Sequence, residues 1–347
     1  MDNSIFYSII IPIYNNSMSD IYRCINSLYH DVLTNFEILL MDDGSEEEFA
    51  KSLDILADKY SEIRVFHLSH GGASYARNEG ILQASGKYLC FCDADDCVTK
   101  QFLFDLENYR KSNLDYDIVY GLVKYVKKEE KIKIDIPLQE LQLQAITNDY
   151  YKELYRHMFD LGSQLFKSEV GYVNRGPVAR IIKRTVCKAC LFDTKLVLGE
   201  DEVWNLDLLE HTSNLAVVNH RWYLYIENPW STSRKPNPKF IEQHRNLLVS
   251  KLPYMKKHKG SLEGAFANRT FQSLQEIIKG YFLTHKNENN FLDSLCNFNK
   301  MTKEYPYSII GYKDAIRGGN KTFIKFIIMK SGGLLLFYKL KQLLFQK

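Results

Sequence analysis

Short β-branched runs alternate with helical segments across the first hundred residues, and most of those runs stop at acidic or glycine-rich turns. YSIIIPIYN, FEILLMDDGS, IRVFHLS and GKYLCFCDADD read as four strands: their apolar stretches are short and bounded by Pro, Asn, Asp, Ser or Gly. Between them, SMSDIYRCINSLYHDV places Ile21, Cys24, Ile25 and Leu28 at helical spacing, with Ser19 or Asp20 as its N-cap. EEEFAKSLDILADKY puts acids in a first helical turn, where the macrodipole favours them, and GGASYARNEGILQAS is a helix opened by glycine. That order predicts an α/β fold built on a doubly wound, mainly parallel sheet. Ligands bind at the carboxyl edge of such sheets. DDGS (42–45), HGG (70–72) and DADD (93–96) are therefore expected to converge.

At 347 residues the chain exceeds one ordinary core, so two domains, or one with a large appendage, are expected. QFLFDLENYRKSN, YDIVYGLVKYV and NDYYKELYRHMFD read as helix, strand and helix. VLGEDEVWNLDLLEH is a helix beginning near Glu200, and NLAVVNHRWYLYIE gives one or two strands before a Pro/Ser-rich break. The boundary is placed there, with residues 1–235 as one domain and 236–347 as a basic helical C-terminal region.

Residues 231–347 hold 21 Lys and Arg against 7 Asp and Glu, so the whole-chain charge of +3 leaves −11 for residues 1–230. An acidic front half repels phosphate, and the basic part has no zinc finger or aromatic RNA-binding motif, so nucleic acid is not an expected partner. The ending NKTFIKFIIMKSGGLLLFYKLKQLLFQK has no acid. No uninterrupted apolar run in it approaches the ~20 residues of a membrane span. Its basic and apolar mix suits a helix lying on an anionic membrane, or a homodimer contact. An odd count of seven cysteines, and an opening segment unlike a secretory leader, predict a reducing cytoplasm. Cys90 and Cys92 alternate inside an apolar run, and Cys187 and Cys190 lack a second CxxC, so zinc is not expected.

The acidic edge carries the chemistry. Alternation predicts Asp93 and Asp95 on one side of an extended chain, with Asp96 turned away. Two such carboxylates suit a hard divalent cation that also binds phosphate oxygens. The plain alternative is a surface turn, but LCFC buries the chain right up to the acids. A carboxylate of DDGS suits a base N–H or a ribose hydroxyl, and the same residues form a common turn. HGGASYARNEG offers a helix N-terminus and Arg77 to an anion. It is not GxGxxG, so a dinucleotide is not expected.

Taken in series, SIIIPIYN, DDGS, GGASYARNEGI, ASGKYLCFCDADD and LGEDEVWNLDLL resemble the family 2 glycosyltransferases, closely over residues 7–105 and more loosely over 175–230. The resemblance implies a GT-A fold, with 1–100 as its nucleotide-sugar half and 101–235 as its acceptor half. It implies a nucleotide-sugar donor, UDP favoured, and inversion at the anomeric carbon. Pro12, Tyr14 and Asn15 would line the nucleotide pocket, Asp42 or Asp43 would contact uracil or ribose, and Arg77 would support the nucleotide. Asp93 and its neighbour Ala94 would face ribose or sugar, and Asp95 would hold Mn²⁺ or Mg²⁺. Asp201 would be the general base, with Glu200 beside it. Trp204 is placed either against a sugar ring or in the core. His220, Ser231 and Ser233, with Arg221 and Arg234, fall where the family carries a loop touching acceptor or diphosphate. There ENPWSTSRKP departs from the family's Tyr-Arg-x-x-x-Ser-x-Ser pattern, Glu227-Asn228-Pro229 replacing the basic residue. The basic apolar tail extends the expectation to a lipid-linked saccharide acceptor and to cell-surface polysaccharide synthesis on the inner face of the membrane.

Two other classes compete. A sugar-phosphate nucleotidyltransferase also uses paired carboxylates and metal, but opens with a Gly-rich basic loop that PIYNNSMSD lacks. A non-catalytic protein binding an anionic polymer would use only the basic C-terminal part, and the acidic front half would oppose it.

Overall fold

Tyr7–Ile13 form strand β1, buried throughout except at Pro12. Cys92 N donates to Ile10 O at 3.1 Å, while Asp43 N donates to Ile13 O at 2.9 Å on the opposite edge. Even-numbered residues of β1 therefore turn their backbone groups toward the strand Tyr88–Phe91, whose pairing ends at Ile10. Pro12 directs its missing N–H to that side, past the end of the ladder, which is why a proline is tolerated in a central strand.

The computed structural model describes residues 4–29, 32–127, 138–160, 166–169, 171–227, 239–283 and 290–345. After β1 come α1 (Met18–Leu28), β2 (Phe36–Asp42), α2 (Glu47–Ala57), β3 (Ile63–His67), α3 (Ala73–Gln83) and β4 (Tyr88–Phe91). Then follow β5 (Cys97–Val98), α4 (Lys100–Lys111), β6 (Ile118–Lys127), β7 (Gln144–Ala145) and α5 (Asn148–Asp160). The series ends with β8 (Arg180–Lys183), α6 (Arg184–Ala189), α7 (Glu200–Glu210) and β9 (Leu215–Glu227). The sheet runs β3-β2-β1-β4-β8-β6-β9-β5, with β7 also on β9. The first four strands are parallel, β8 runs against both neighbours, and β6 and β9 are parallel again. This is the mainly parallel α/β sheet that the alternation predicts.

One face of the sheet buries Ile9, Ile11, Cys90, Val119, Ile181 and Ala216 with Ile21, Ile25, Leu28, Phe102 and Leu106 of α1 and α4. Each fully buried aliphatic side chain contributes ~1.5–3 kcal/mol. The cap of α1 is Ser17, whose hydroxyl accepts from Asp20 N, and not Ser19 or Asp20. Ser17 alone has the extended backbone a cap requires, so Asp20 falls in the first turn. All seven cysteines are free thiols, and all but Cys296 are buried.

The chain divides into two units. The first comprises Met1–Met158, Ser163–Lys195 and Glu200–Trp230, and the second Phe159–Gly162, Leu196–Gly199 and Ser231–Lys347. The second unit is helical, with α8 (Phe240–Lys257), α9 (Glu263–Ile277), α10 (Phe291–Met301), α11 (Tyr312–Arg317), α12 (Asn320–Lys330) and α13 (Leu334–Phe345). Leu334, Leu335 and Tyr338 of α13 are buried, whereas Leu336, Phe337, Leu340, Leu343 and Leu344 are exposed. Among the described residues no helix is long and apolar enough to cross a membrane.

Candidate active site

The loops after β1, β2 and β3 are tied together by the two aspartates of DDGS. Asp42 accepts from Ser45 N at 3.0 Å and meets His67 Nδ1 at 2.7 Å. Asp43 accepts from Gly71 N at 2.7 Å and Gly72 N at 2.8 Å, and its Oδ2 lies 2.9 Å from His70 Nδ1. Both side chains are almost wholly buried. Asp43 thus takes the two backbone N–H groups just ahead of α3, those of Gly71 and of the N-cap Gly72. Gly44 has φ +75°, and a Cβ there would lie 2.8 Å from His70 N, so the turn needs glycine for conformation and for space. Asn15, at φ 47°, receives Glu46 N on its side chain and donates its own N–H to Ser45 Oγ. Beside this brace Tyr14 is half exposed and stacks on His70, with ring centroids 4.4 Å apart. Pro12 ends β1 next to it.

The second loop, DADD, is a turn and not an extended strand: Asp96 N donates back to Asp93 O at 3.1 Å. The predicted alternation thus fails, although its consequence partly survives. Asp93 and Asp95 are half-buried, while Ala94 and Asp96 are buried. Asp96 accepts from the Tyr223 hydroxyl at 2.8 Å and from Ile226 N at 2.7 Å. Burial, and then Asp93, push its carboxyl up to about 8. Tyr223 also receives Asp93 N at 3.0 Å, and Arg23 of α1 donates to Asp95 O at 2.7 Å. The turn is held from β9 and from α1 together.

Arg77, just over one turn into α3, links this loop to the start of α7. Its Nη2 donates to Asp93 Oδ1 at 2.9 Å, and its Nη1 lies 3.8 Å from Glu200 Oε1. Burial, and then Asp201, raise Glu200 to about 7, against the pull of Arg77. Burial also raises Asp201, with Glu202 adding to it and Arg175 and Arg77 opposing. Arg175 pairs with Glu202 at 3.2 Å. The loop carrying Arg175 is pinned by the buried Arg180, which bonds the carbonyls of Asn174 and Gly176 and the side chain of Asn205. Two acids with carboxyls lifted toward neutrality, beside a buried cation, form the usual setting for proton transfer.

Other predicted residues lie elsewhere. Trp204 is buried, bonds Cys190 O through its indole N–H at 2.7 Å and stacks on Phe192, so it is a core residue and not a sugar platform. His220 meets Asp105 at 2.8 Å in the floor of a separate cavity and bonds no residue of the acidic edge. Ser231, Ser233 and Arg234 lie outside the described residues. Arg23, Arg175 and Tyr223 were not singled out by motif, whereas His70 belongs to the HGG segment expected at this edge. For Arg175 a local signal was present in NRGPVAR, a Gly-Pro loop flanked by two arginines.

Among the described residues no group of three or more His, Cys, Asp or Glu side chains converges as a metal cage. A Mg²⁺-like cation does not need one. It commonly takes one or two carboxylates, with water and substrate phosphates filling its other places. Half-buried Asp95, on a turn fixed from both sides, fits that requirement.

The sheet order and its acidic edge define a GT-A fold. The structure of S. aureus TarS 1-349 in complex with UDP-GlcNAc superposes with a TM-score of 0.60 at 19% identity, covering 95% of this chain and 88% of that one. The family model described as Glycosyl transferase family 2 matches residues 8–166. Glycosyltransferase GlyG of Streptococcus pneumoniae serotype 4 is 30% identical over 234 residues, 65% of this chain and 72% of GlyG. The uncharacterized glycosyltransferase EpsJ of Bacillus subtilis is 29% identical over 239 residues, 68% of this chain; the chain spans 65% of EpsJ. The chain belongs to glycosyltransferase family 2. That membership counts against the nucleotidyltransferase reading.

Proposed function

We propose that this chain is an inverting glycosyltransferase that moves a sugar from a UDP-sugar to a hydroxyl of a saccharide acceptor. The observation that carries the reading is Arg77, which brings Asp93 and Glu200, far apart in sequence, to one guanidinium. Single displacement needs a base on one face of the sugar and a stabilised diphosphate on the other. Asp201 is the base: its raised carboxyl accepts the acceptor proton as the new bond forms. Glu200 adjoins it and holds the acceptor or donor sugar. Tyr14 and His70 offer a flat surface to the nucleobase. Pro12 and Asn15 bound that pocket, and Asp42 and Asp43 hold its walls with a remaining lone pair for ribose or base. Asp93 and Ala94 lie against the ribose and sugar. Asp95 holds a divalent cation, Mn²⁺ or Mg²⁺, which supplies charge neutralisation on the departing diphosphate. UDP is favoured because the TarS neighbour is described with UDP-GlcNAc and with UDP.

The exposed leucines of α13 and the lysines Lys339 and Lys341 beside them support attachment to an anionic membrane surface on the cytoplasmic side. That position suits a lipid-linked acceptor and cell-surface polysaccharide synthesis of the capsule type. A homodimer through the same face is the second reading.

Calorimetric titration of UDP, with Mn²⁺ and then with EDTA, tests the donor and the cation together. Metal-dependent binding that disappears in Asp95→Ala is expected. Equal binding in EDTA would remove the cation, and no binding at all would remove UDP as the nucleotide.

A further inference from the structure

A cavity of about 740 Å³ opens in the first unit between residues 139–144, residues 166–168 and strands β6 and β9. It shares no lining residue with the acidic edge. Its polar wall is Gln139, Gln142, Gln144, Ser168, Asn219 and His220, its apolar surface comes from Leu122, Leu143, Phe166 and Val217, and Lys167 is its one charged group among the described lining residues. Amide side chains donate and accept at once, and so does a hydroxyl. A wall of amides over aromatic and aliphatic surface therefore matches a polyhydroxylated ligand. A single cation is too few for a nucleic-acid or polyphosphate chain, which needs several. The volume falls in the range of ligand pockets, ~300–1,000 Å³, and exceeds what one sugar ring fills.

The cavity floor is built, not incidental. Asp105, wholly buried, accepts from Gln101 Nε2 at 2.8 Å, from Trp222 Nε1 at 2.6 Å and meets His220 Nδ1 at 2.8 Å. Gln101 in turn grips the backbone of Gln139 twice, at 2.8 Å and 2.9 Å. One buried carboxylate thus orients two lining residues from opposite walls, and it leaves His220 Nε2 as the ring nitrogen available to a ligand. The β6–β9 ladder loses register between Tyr120, Leu122 and Val123, which frees Asn219 and His220 from the pairing. Bulges of this kind re-aim side chains beside binding sites.

We propose that this cavity is a second saccharide-binding site, apart from the acidic edge, that takes a neutral oligosaccharide. The proposal rests on the glycosyltransferase reading above, and the experiment separates the two. Wild-type protein, the double variant Gln142→Ala/Asn219→Ala and Ser168→Trp are applied to an array of printed microbial oligosaccharides with saturating UDP and Mn²⁺. Ser168 is exposed, so its variant fills the cavity without touching the Asp105 network and guards against a folding defect in the other. Wild type is expected to retain at least one glycan, with retention falling at least tenfold in both variants. Retention of none, or equal retention by Ser168→Trp, overturns the proposal. UDP titration of the same wild-type sample reads the donor site alone: UDP bound with no glycan retained sinks the cavity and leaves the transferase reading standing.

Discussion

The guanidinium of Arg77 donates to Asp93 at 2.9 Å, from a helix whose entry loop is held by Asp43 through Gly71 N and Gly72 N. One arginine therefore joins the loop after β4 to the loops after β2 and β3. It is nearly buried, with 8% of its side chain exposed, so its charge depends on its partners. Arg77→Ala should cost about 1–3 kcal/mol, because it leaves the half-buried Asp93 without the charged hydrogen-bond partner it has in the fold. Urea unfolding checks it; a change within experimental noise would mean that Asp93 and Glu200 find water instead.

Asp201→Asn should keep UDP affinity and lower kcat by ~10²–10⁴, the range of a lost general base. The acids of α7 are raised together, so the acid limb of the pH–rate profile is expected above the ordinary carboxylate range and belongs to the pair. Activity appears as pH rises and the carboxyls ionise. Glu200→Gln removes a neighbouring negative charge and should move that limb to lower pH. Arg175→Ala, which removes an opposing cation, should move it higher. An acid limb at the ordinary carboxylate value of about 4 would place the base elsewhere.

His67 bridges Asp42 and Asp54, and its hydrogen bond to Asp42 raises its pKa. A histidine raised on folding stabilises the folded state fully below its unfolded value of about 6.5. That contribution is lost as pH rises through the higher folded value. Thermal melts of wild type should therefore lose stability across that window, and His67→Gln should lack that step. Parallel curves for the two proteins would show that folding leaves the His67 pKa where it is in the unfolded chain.

Leu340, Leu343 and Leu344 are exposed on α13, while Leu334 and Leu335 are buried. Leu340→Glu/Leu343→Glu should leave the melting curve unchanged and move the protein from anionic-liposome pellets to the supernatant. Unchanged pelleting would assign the membrane contact to another surface.

Much of the acidic edge is legible along the chain. FEILLMDDGS and YLCFCDADD are apolar runs that stop at carboxylates, and a parallel sheet puts such stops on one edge. The same signal cannot say what each carboxylate does. Asp43 looks like a ligand contact, yet it bonds Gly71 and Gly72 because the β3–α3 loop returns to it. Trp204 sits one turn after Asp201, but the face of α7 it occupies points to Phe192. Ser17, Ser19 and Asp20 are all good caps by residue type, and only the backbone at Ser17 chooses.

The sequence by itself determined the strand order's raw material, the carboxylates at the strand ends and the family, because period, turn chemistry and motif order are local properties. The tertiary structure alone decided which carboxylates brace the protein and which are held near neutrality. Those outcomes depend on burial, which raises Glu200 and Asp96 against the opposing pull of Arg77 and Tyr223, partners brought from elsewhere in the chain. A charge is set by what surrounds it in space, and neighbours in space are not neighbours in sequence.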